Sequence, residues 1–162
     1  MNKDLLKGLN DQINMELEAG YIYLGMATYL DESDFPGFSH WMRAQTREEL
    51  SHAMRLFEFL QERGEHIVLP AIKEVSTEYK SVEDVWEKAL DHEKQVTASI
   101  DKLMKKAHEV KDYSAIGMLQ WFVDEQVEEE DTFGAALAKI QMAEGKASAL
   151  LMLDSKFGKR EG

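Results

Sequence analysis

A glutamate followed by a Glu-x-x-His motif is the first group in this chain whose residue types and spacing suit metal chemistry. Glu49 lies 33 residues after Glu16, and His52 lies three residues after Glu49. Residues at i and i+3 share a helix face, so Glu49 and His52 can hold one metal ion together. A glutamate from one helix and a Glu-x-x-His motif from the next make half of the carboxylate-bridged metal pair found in some four-helix bundles.

The same spacing returns in the second half of the chain with weaker ligands. Gln126 lies 33 residues after Glu93, and Glu129 lies three residues after Gln126. The two sets are offset by 77 residues, close to half the chain. The second set has lost a histidine and a bridging carboxylate. The doubled pattern therefore predicts a di-iron site with one strong and one weak half, at which iron binds, reacts and leaves.

The predicted ligands are mostly oxygen atoms with a single imidazole. Glu49 has two carboxylate oxygens and can bridge two metals, while Glu16 and Glu93 each add a terminal carboxylate. Glu129 completes the second position, with Gln126 near it as a weaker, neutral contact. Such a set suits Fe²⁺ or Mn²⁺, and zinc can also occupy it.

More acidic residues adjoin this set and are a candidate third cation site. Glu48 precedes the bridging glutamate, and Glu125, Glu128 and Glu129 lie close together along one predicted helix. The alternative interpretation is a solvated acidic helix face, because residues 124–131 carry a run of negative charge.

Two aromatic residues are expected near the metals. Tyr23 lies seven residues after Glu16 on the same helix face, where it can act as a hydrogen-bond or electron donor. Trp121 shares a helix with Gln126, and plain core packing is the favoured interpretation for it. The remaining histidines are predicted to be surface or helix-end residues: His40, His66, His92 and His108.

The elements that position these residues are predicted to be helices throughout. The chain has only two prolines and no sustained strand-like alternation. Pro36 suits the first turn of a helix, Gly64 a helix end and Ser81 an N-cap. These signals predict four long helices over about 4–30, 36–63, 82–108 and 115–142, with 111–114 as a short turn, and a short fifth helix near 146–157.

The connection between the second and third helices sets the topology. The second helix is about 42 Å long, and an extended connection over 65–81 reaches about 55 Å. It can therefore return along the whole bundle and make these two helices parallel, while the short links make antiparallel neighbours. The sequence predicts an all-α, ferritin-like four-helix bundle with one long crossover and a short fifth helix.

The composition narrows the class of partner. Acidic residues outnumber basic ones by 31 to 19, for a net charge of -12, which argues against a nucleic-acid partner. Cysteine is absent, which excludes thiolate metal sites. Neither a signal peptide nor a run long enough to span a membrane is found. We expect one domain over residues 1–162, soluble and cytoplasmic, with no membrane partner.

Together the motifs resemble those of the non-haem ferritins of bacteria and archaea. The resemblance covers nearly the whole chain, including the crossover and the fifth helix. It rests on Asn14-Met15-Glu16-Leu17 with Tyr21-Ile22-Tyr23, on the segment 48–54, on Asp91-His92-Glu93 and on the segment 119–130.

The resemblance implies a ferroxidase that oxidises Fe²⁺ with dioxygen and stores Fe³⁺ mineral inside a hollow homo-oligomeric shell, usually of 24 subunits. The residues it implies are Glu16, Glu49 and His52 for the first iron, Glu49, Glu93 and Glu129 with Gln126 nearby for the second, and Glu48, Glu125, Glu128 and Glu129 for a third site. The fifth helix, with Leu150, Leu151 and Leu153, is expected to make assembly contacts.

Two departures separate the chain from related families. Bacterioferritins place a haem-ligating Met directly after the bridging glutamate, where this chain has Leu50, and they carry a second Glu-x-x-His, where this chain has Thr132 after Glu129. Haem is therefore not expected. Ser51 and Met54 replace the inward acidic residues that animal ferritins use for mineral nucleation, which leaves the nucleation site open.

Three other functions remain as alternatives. A rubrerythrin-like di-iron oxidoreductase or peroxidase normally has two His-bearing motifs, and this chain has one. A DNA-protecting miniferritin binds iron between subunits, lacks the ligand set from four helices of one chain and often has a basic tail, and these features do not fit this chain. A structural or adaptor bundle would bind no stoichiometric metal.

Overall fold

Five helices make up the fold in the computed structural model, which describes residues 1–161. They are α1 Lys3–Glu32, α2 Pro36–Glu62, α3 Val82–Glu109, α4 Tyr113–Met142 and α5 Ala147–Phe157, and the described residues contain no strand. The predicted all-α class is confirmed, and the predicted helix ends agree to within one or two residues. Over residues 1–161, none of the helices combines the length and the hydropathy needed to cross a bilayer.

Polar side chains cap the helices where the chain changes direction. Ser81 accepts a hydrogen bond from the backbone N–H of Asp84 at 3.1 Å, so the predicted cap of α3 is confirmed. Asn2 caps α1 and Asp112 caps α4 in the same way. Each cap satisfies backbone donors that the first helical turn leaves without partners.

The crossover between α2 and α3 runs along α1. Near its start, the Asn10 side chain donates to the carbonyl of His66 at 3.2 Å and accepts from the N–H of Val68 at 2.7 Å. Near its end, the rings of Tyr79 and Tyr29 pack edge to face at 5.5 Å. Asn10 and Tyr29 are about 28 Å apart along a helix, so the crossover returns along the bundle and α3 starts at the end where α2 starts. The predicted parallel arrangement of α2 and α3 is confirmed.

Two apolar clusters fill the bundle on either side of a polar centre. An aromatic cluster lies near α5 and includes Tyr23, Phe38, Trp41, Trp86, Phe133 and Phe157. An aliphatic cluster lies toward the other end and includes Leu5, Leu9, Leu56, Ile100, Leu119 and Phe122. The clusters bury the helices against each other and thereby fix the residues between them.

Helix α5 is docked onto the start of α2. The Asp154 carboxylate accepts a hydrogen bond from the N–H of Phe38 at 2.7 Å, where the α2 dipole favours negative charge. Phe157 packs edge to face on Phe38 at 5.1 Å. Of the three leucines expected to make assembly contacts, Leu150 and Leu153 pack partly against their own bundle, and Leu151 is 55% exposed.

Gly25 is predicted to be required where the crossover passes α1. A Cβ atom at Gly25 would lie 2.4 Å from the Ser76 carbonyl oxygen, whereas a Cβ at Gly117 in α4 would meet nothing within 4 Å. Gly25→Ala should lower stability by about 1–3 kcal/mol because backbone must move. Gly117→Ala should be neutral or stabilising by up to about 1 kcal/mol through helix propensity. Thermal unfolding followed by circular dichroism measures both, and equal midpoints would contradict the close packing.

Candidate metal centre

Each of the four long helices contributes side chains to the polar centre. Six predicted ligands lie there, each at most 5% exposed: Glu16 on α1, Glu49 and His52 on α2, Glu93 on α3, and Gln126 and Glu129 on α4. Glutamate is rarely buried unless it is paired, protonated or bound to a cation. Four buried glutamates in one centre therefore indicate a function rather than a packing role.

The strong half of the predicted site forms one compact group. Glu16, Glu49 and His52 present ligand atoms that all lie within 4.8 Å of one another. The His52 Nδ1–H donates to Glu49 Oε2 at 3.1 Å. This bond fixes the imidazole ring, and such orientation by a hydrogen bond is common among metal-binding histidines.

The weak half is joined through Glu93. Both the Tyr23 hydroxyl and the Gln126 amide donate to the Glu93 carboxylate, the latter at 3.1 Å. Glu93 lies outside both groups of closely spaced ligand atoms found among the described residues. Gln126 is thus a hydrogen-bond donor to the predicted ligand Glu93. Tyr23 contacts the same ligand, as its expected position near the metals requires.

Two glutamines that were not predicted orient the carboxylates. The Gln12 amide donates to Glu16 at 2.7 Å. The Gln45 amide donates to Glu49 at 2.7 Å and to Glu129 at 3.0 Å, and so joins α2 to α4. Each glutamine lies four residues before the glutamate that it binds on its own helix. A repeated Gln-x-x-x-Glu spacing is therefore the sequence signal that would have revealed both.

The structure brings together a third group that differs from the predicted one by one residue, because His52 takes the place of Glu128. Glu48, His52, Glu125 and Glu129 present ligand atoms within 4.8 Å of one another. Glu125 Oε1 lies 3.9 Å from His52 Nε2. Glu128 is exposed and outside the group, although it was predicted to belong to it. His52 takes part in both groups, so the two positions are neighbours.

Trp121 and His92 flank the centre. The Trp121 ring packs edge to face on His52 at 5.3 Å and also lies against the aliphatic cluster. The prediction that His92 is a surface or helix-end residue was wrong, because it lies in the middle of α3, half-buried, with its ring 6.0 Å from that of Tyr23. His66 and His108 are exposed as predicted, and His40 lies in the first turns of α2.

Burial makes negative charge costly at this centre. It raises the pKa of Glu93 to about 7 and that of Glu129 to about 9, and it raises the pKa of Glu16 well above the usual range. Glu16 Oε2 is buried without a hydrogen-bond partner. Burial is the largest single effect on the pKa of His52 and lowers it, but the hydrogen bond to Glu49 and the negative charges of Glu49, Glu125 and Glu48 together outweigh burial, so the pKa is raised. A bound cation would supply the compensating charge.

Comparison with known proteins gives the family of this chain. The family model for the ferritin-like domain matches residues 6–143. The chain belongs to the ferritin family. A probable bacterial non-heme ferritin-like protein from Haemophilus influenzae is 37% identical over 158 residues, covering 98% of this chain and 96% of the relative. A bacterial non-heme ferritin from Staphylococcus haemolyticus is 34% identical over 160 residues, covering 99% and 96%.

Solved structures of archaeal ferritin share the whole architecture. The open pore ferritin of the hyperthermophilic archaeon Archaeoglobus fulgidus superposes with a TM-score of 0.98 at 39% identity, covering 99% of both chains. An engineered closed form of the same ferritin has a TM-score of 0.97 at 40% identity, covering 99% of this chain and 98% of the other. The ferritin-like fold therefore includes the crossover and α5.

Metal binding should become stronger as the pH rises, because Glu93 and Glu129 must lose protons to bind a cation. Without metal, Glu93 and Glu129 hold protons more tightly in the folded state than in the unfolded state, where their pKa is about 4.3. The resulting stabilisation is fully present below that pH and is lost as the pH rises through about 7 to 9. The increase in unfolding temperature caused by Zn²⁺ should therefore be larger at pH 7.5 than at pH 6. A smaller increase at pH 7.5 would contradict these protonation states.

Proposed function

We propose that this ferritin stores iron and that its metal centre is a ferroxidase, which oxidises Fe²⁺ with dioxygen. The observation that carries the proposal is the convergence of buried carboxylates and one histidine from four helices. Membership of the ferritin family supports it. In the proposed reaction each Fe²⁺ gives up one electron, and dioxygen accepts the electrons. Iron is the substrate and leaves as Fe³⁺.

The two halves of the centre are assigned different tasks. Glu16, Glu49 and His52 bind the first Fe²⁺, and the compact spacing of their ligand atoms supports this role. Glu49 also bridges to the second Fe²⁺, which Glu93 and Glu129 complete. The neutral Gln126 lies beside the second position in place of a bridging carboxylate. Iron in the second position is therefore held less firmly and is released more easily.

Tyr23 and the glutamine amides orient the ligands. The amides of Gln12 and Gln45 donate to carboxylate oxygens and keep the remaining oxygens facing inward. The Tyr23 hydroxyl donates to Glu93, and burial raises its pKa well above the usual range, so Tyr23 stays protonated at neutral pH. We assign Tyr23 to positioning Glu93 and to donating one electron to dioxygen when iron supplies too few; the hydroxyl proton then passes to the Glu93 carboxylate that accepts its hydrogen bond.

A third cation position and a shell complete the proposal. Glu48, Glu125 and Glu129 form the third position together with His52, while Glu128 is exposed and outside this group. The whole chain, residues 1–162, acts as one di-iron domain in a cytoplasmic shell of 24 copies. The exposed side chains of Leu151 and Met152 on α5 support an assembly contact there.

Removing ligands from the strong half should abolish fast iron oxidation. His52→Ala and Glu49→Gln should each slow Fe²⁺ oxidation in air by at least about tenfold, since changes around metal ligands alone cost about that much. The initial rate is measured from the absorbance of the ferric product. Glu58→Gln removes an exposed carboxylate from the same helix and should leave the rate unchanged. Equal rates in His52→Ala and wild type would reject the assigned site.

If the protein stores iron, the iron should elute together with the protein shell. After excess Fe²⁺ is added in air, size-exclusion chromatography should show protein and iron eluting together in a particle the size of a 24-subunit shell. A small oligomer that carries a few metals and no mineral would reject storage. That result would favour the di-iron oxidoreductase alternative.

A further inference from the structure

The chain after α5 folds back onto α2 and brings Arg160 to the metal centre. The His40 Nε2–H donates to the Arg160 carbonyl at 2.9 Å, and the Arg160 N–H donates to the Phe157 carbonyl at 3.1 Å. The guanidinium lies over the Trp41 ring with its carbon 4.1 Å from the ring centroid. Three separate contacts thus hold the residue in place.

The guanidinium of Arg160 binds two residues that adjoin the ligands. Its Nη2 donates to the carboxylate of Glu48 at 2.5 Å and to the Gln45 carbonyl oxygen at 2.9 Å. The Arg160 side chain is 21% exposed, and its Nη1 is buried without a hydrogen-bond partner. Glu48 belongs to the proposed third cation position, so a fixed positive charge of the protein already lies against that position.

The pairing has an electrostatic consequence. A divalent cation on Glu48 would share the carboxylate with the guanidinium, and the two positive charges repel each other at short range in a partly buried setting. The cation therefore binds either after Arg160 has moved away or with a loss of binding free energy that the repulsion causes. A charge-assisted hydrogen bond of this kind is stronger than one between neutral groups. Either route weakens cation binding at the third position.

We propose that Arg160 is a built-in counter-cation of the third position, which holds Glu48 and keeps cation binding there weak enough for rapid exchange. The inference rests on the proposed function, because it assigns a role beside the ferroxidase ligands. It makes Arg160 a positioning residue rather than a ligand.

Loss of Arg160 should leave the di-iron site itself intact. The Gln45 amide is held from both sides, because its NH₂ group donates to Glu49 and Glu129 while its oxygen accepts from Arg160. The two carboxylates still require a donor when Arg160 is removed, so the amide keeps its orientation. The third position and the di-iron pair should therefore respond differently to the same substitution.

Isothermal titration of the assembled protein with Zn²⁺, which is redox-inert, tests the proposal. Wild type should show the two positions of the di-iron site, of unequal affinity, and a third position weaker than both. Arg160→Ala should tighten the third position by about tenfold or more, with the two di-iron positions each changed less than threefold. Arg160→Lys keeps the charge and should resemble wild type. Lys159→Ala removes an exposed tail charge and is the matched control.

Two further variants separate the possible outcomes. Glu48→Gln combined with Arg160→Ala should abolish the gain, since the gain acts through Glu48. Arg160→Gln is neutral and retains hydrogen-bond donors. It therefore tests whether the positive charge weakens the third position even if Arg160→Ala does not assemble. An unchanged or weaker third site in either neutral variant, or failure of both to assemble, would overturn the inference. Wild type without stoichiometric Zn²⁺ would instead reject the proposed metal site.

Discussion

Burial of several carboxylates at one level of the bundle is the constraint on which the rest of this structure depends. Glu16, Glu49, Glu93 and Glu129 are each at most 5% exposed, and their negative charges repel one another. Such a centre is costly unless protons, amide donors or bound cations compensate it. The protein supplies amide donors on the inside and apolar clusters on both sides. The negative charge that these groups leave uncompensated favours the binding of iron.

The geometry of two helical hairpins explains why one spacing recurs. Three residues separate α1 from α2, and three separate α3 from α4. Glu16 and Glu49 lie at nearly equal distances from the first turn, and Glu93 and Gln126 do so for the second. Residues equally far from a tight turn lie at the same level of an antiparallel pair. The crossover then makes α2 and α3 parallel and brings both levels together in the centre.

This geometry also separates what the sequence could predict from what it could not. The bundle, the crossover and the ligands follow from local signals and from spacings across short turns. Gln12 and Gln45 were both missed, although each lies four residues before the glutamate that it binds. Asp154 and Arg160 lie more than 100 residues from their partners Phe38 and Glu48, and no local pattern indicates such pairings. His92 was misassigned because its burial depends on Tyr23, which lies on another helix.

The hydrogen-bond donors that compete with a cation for the carboxylates differ from one position of the centre to the next. In the strong half the Gln12 amide donates to Glu16, and the Gln45 amide and the His52 ring donate to Glu49. In the weak half Tyr23 and Gln126 already donate to Glu93, so an incoming cation must share that carboxylate with two donors. At the outer group Arg160 is a full positive charge on Glu48. Arg160 is the permanent charge among these donors, so we expect competition for a carboxylate to be strongest at the outer group and a cation to be held least firmly there.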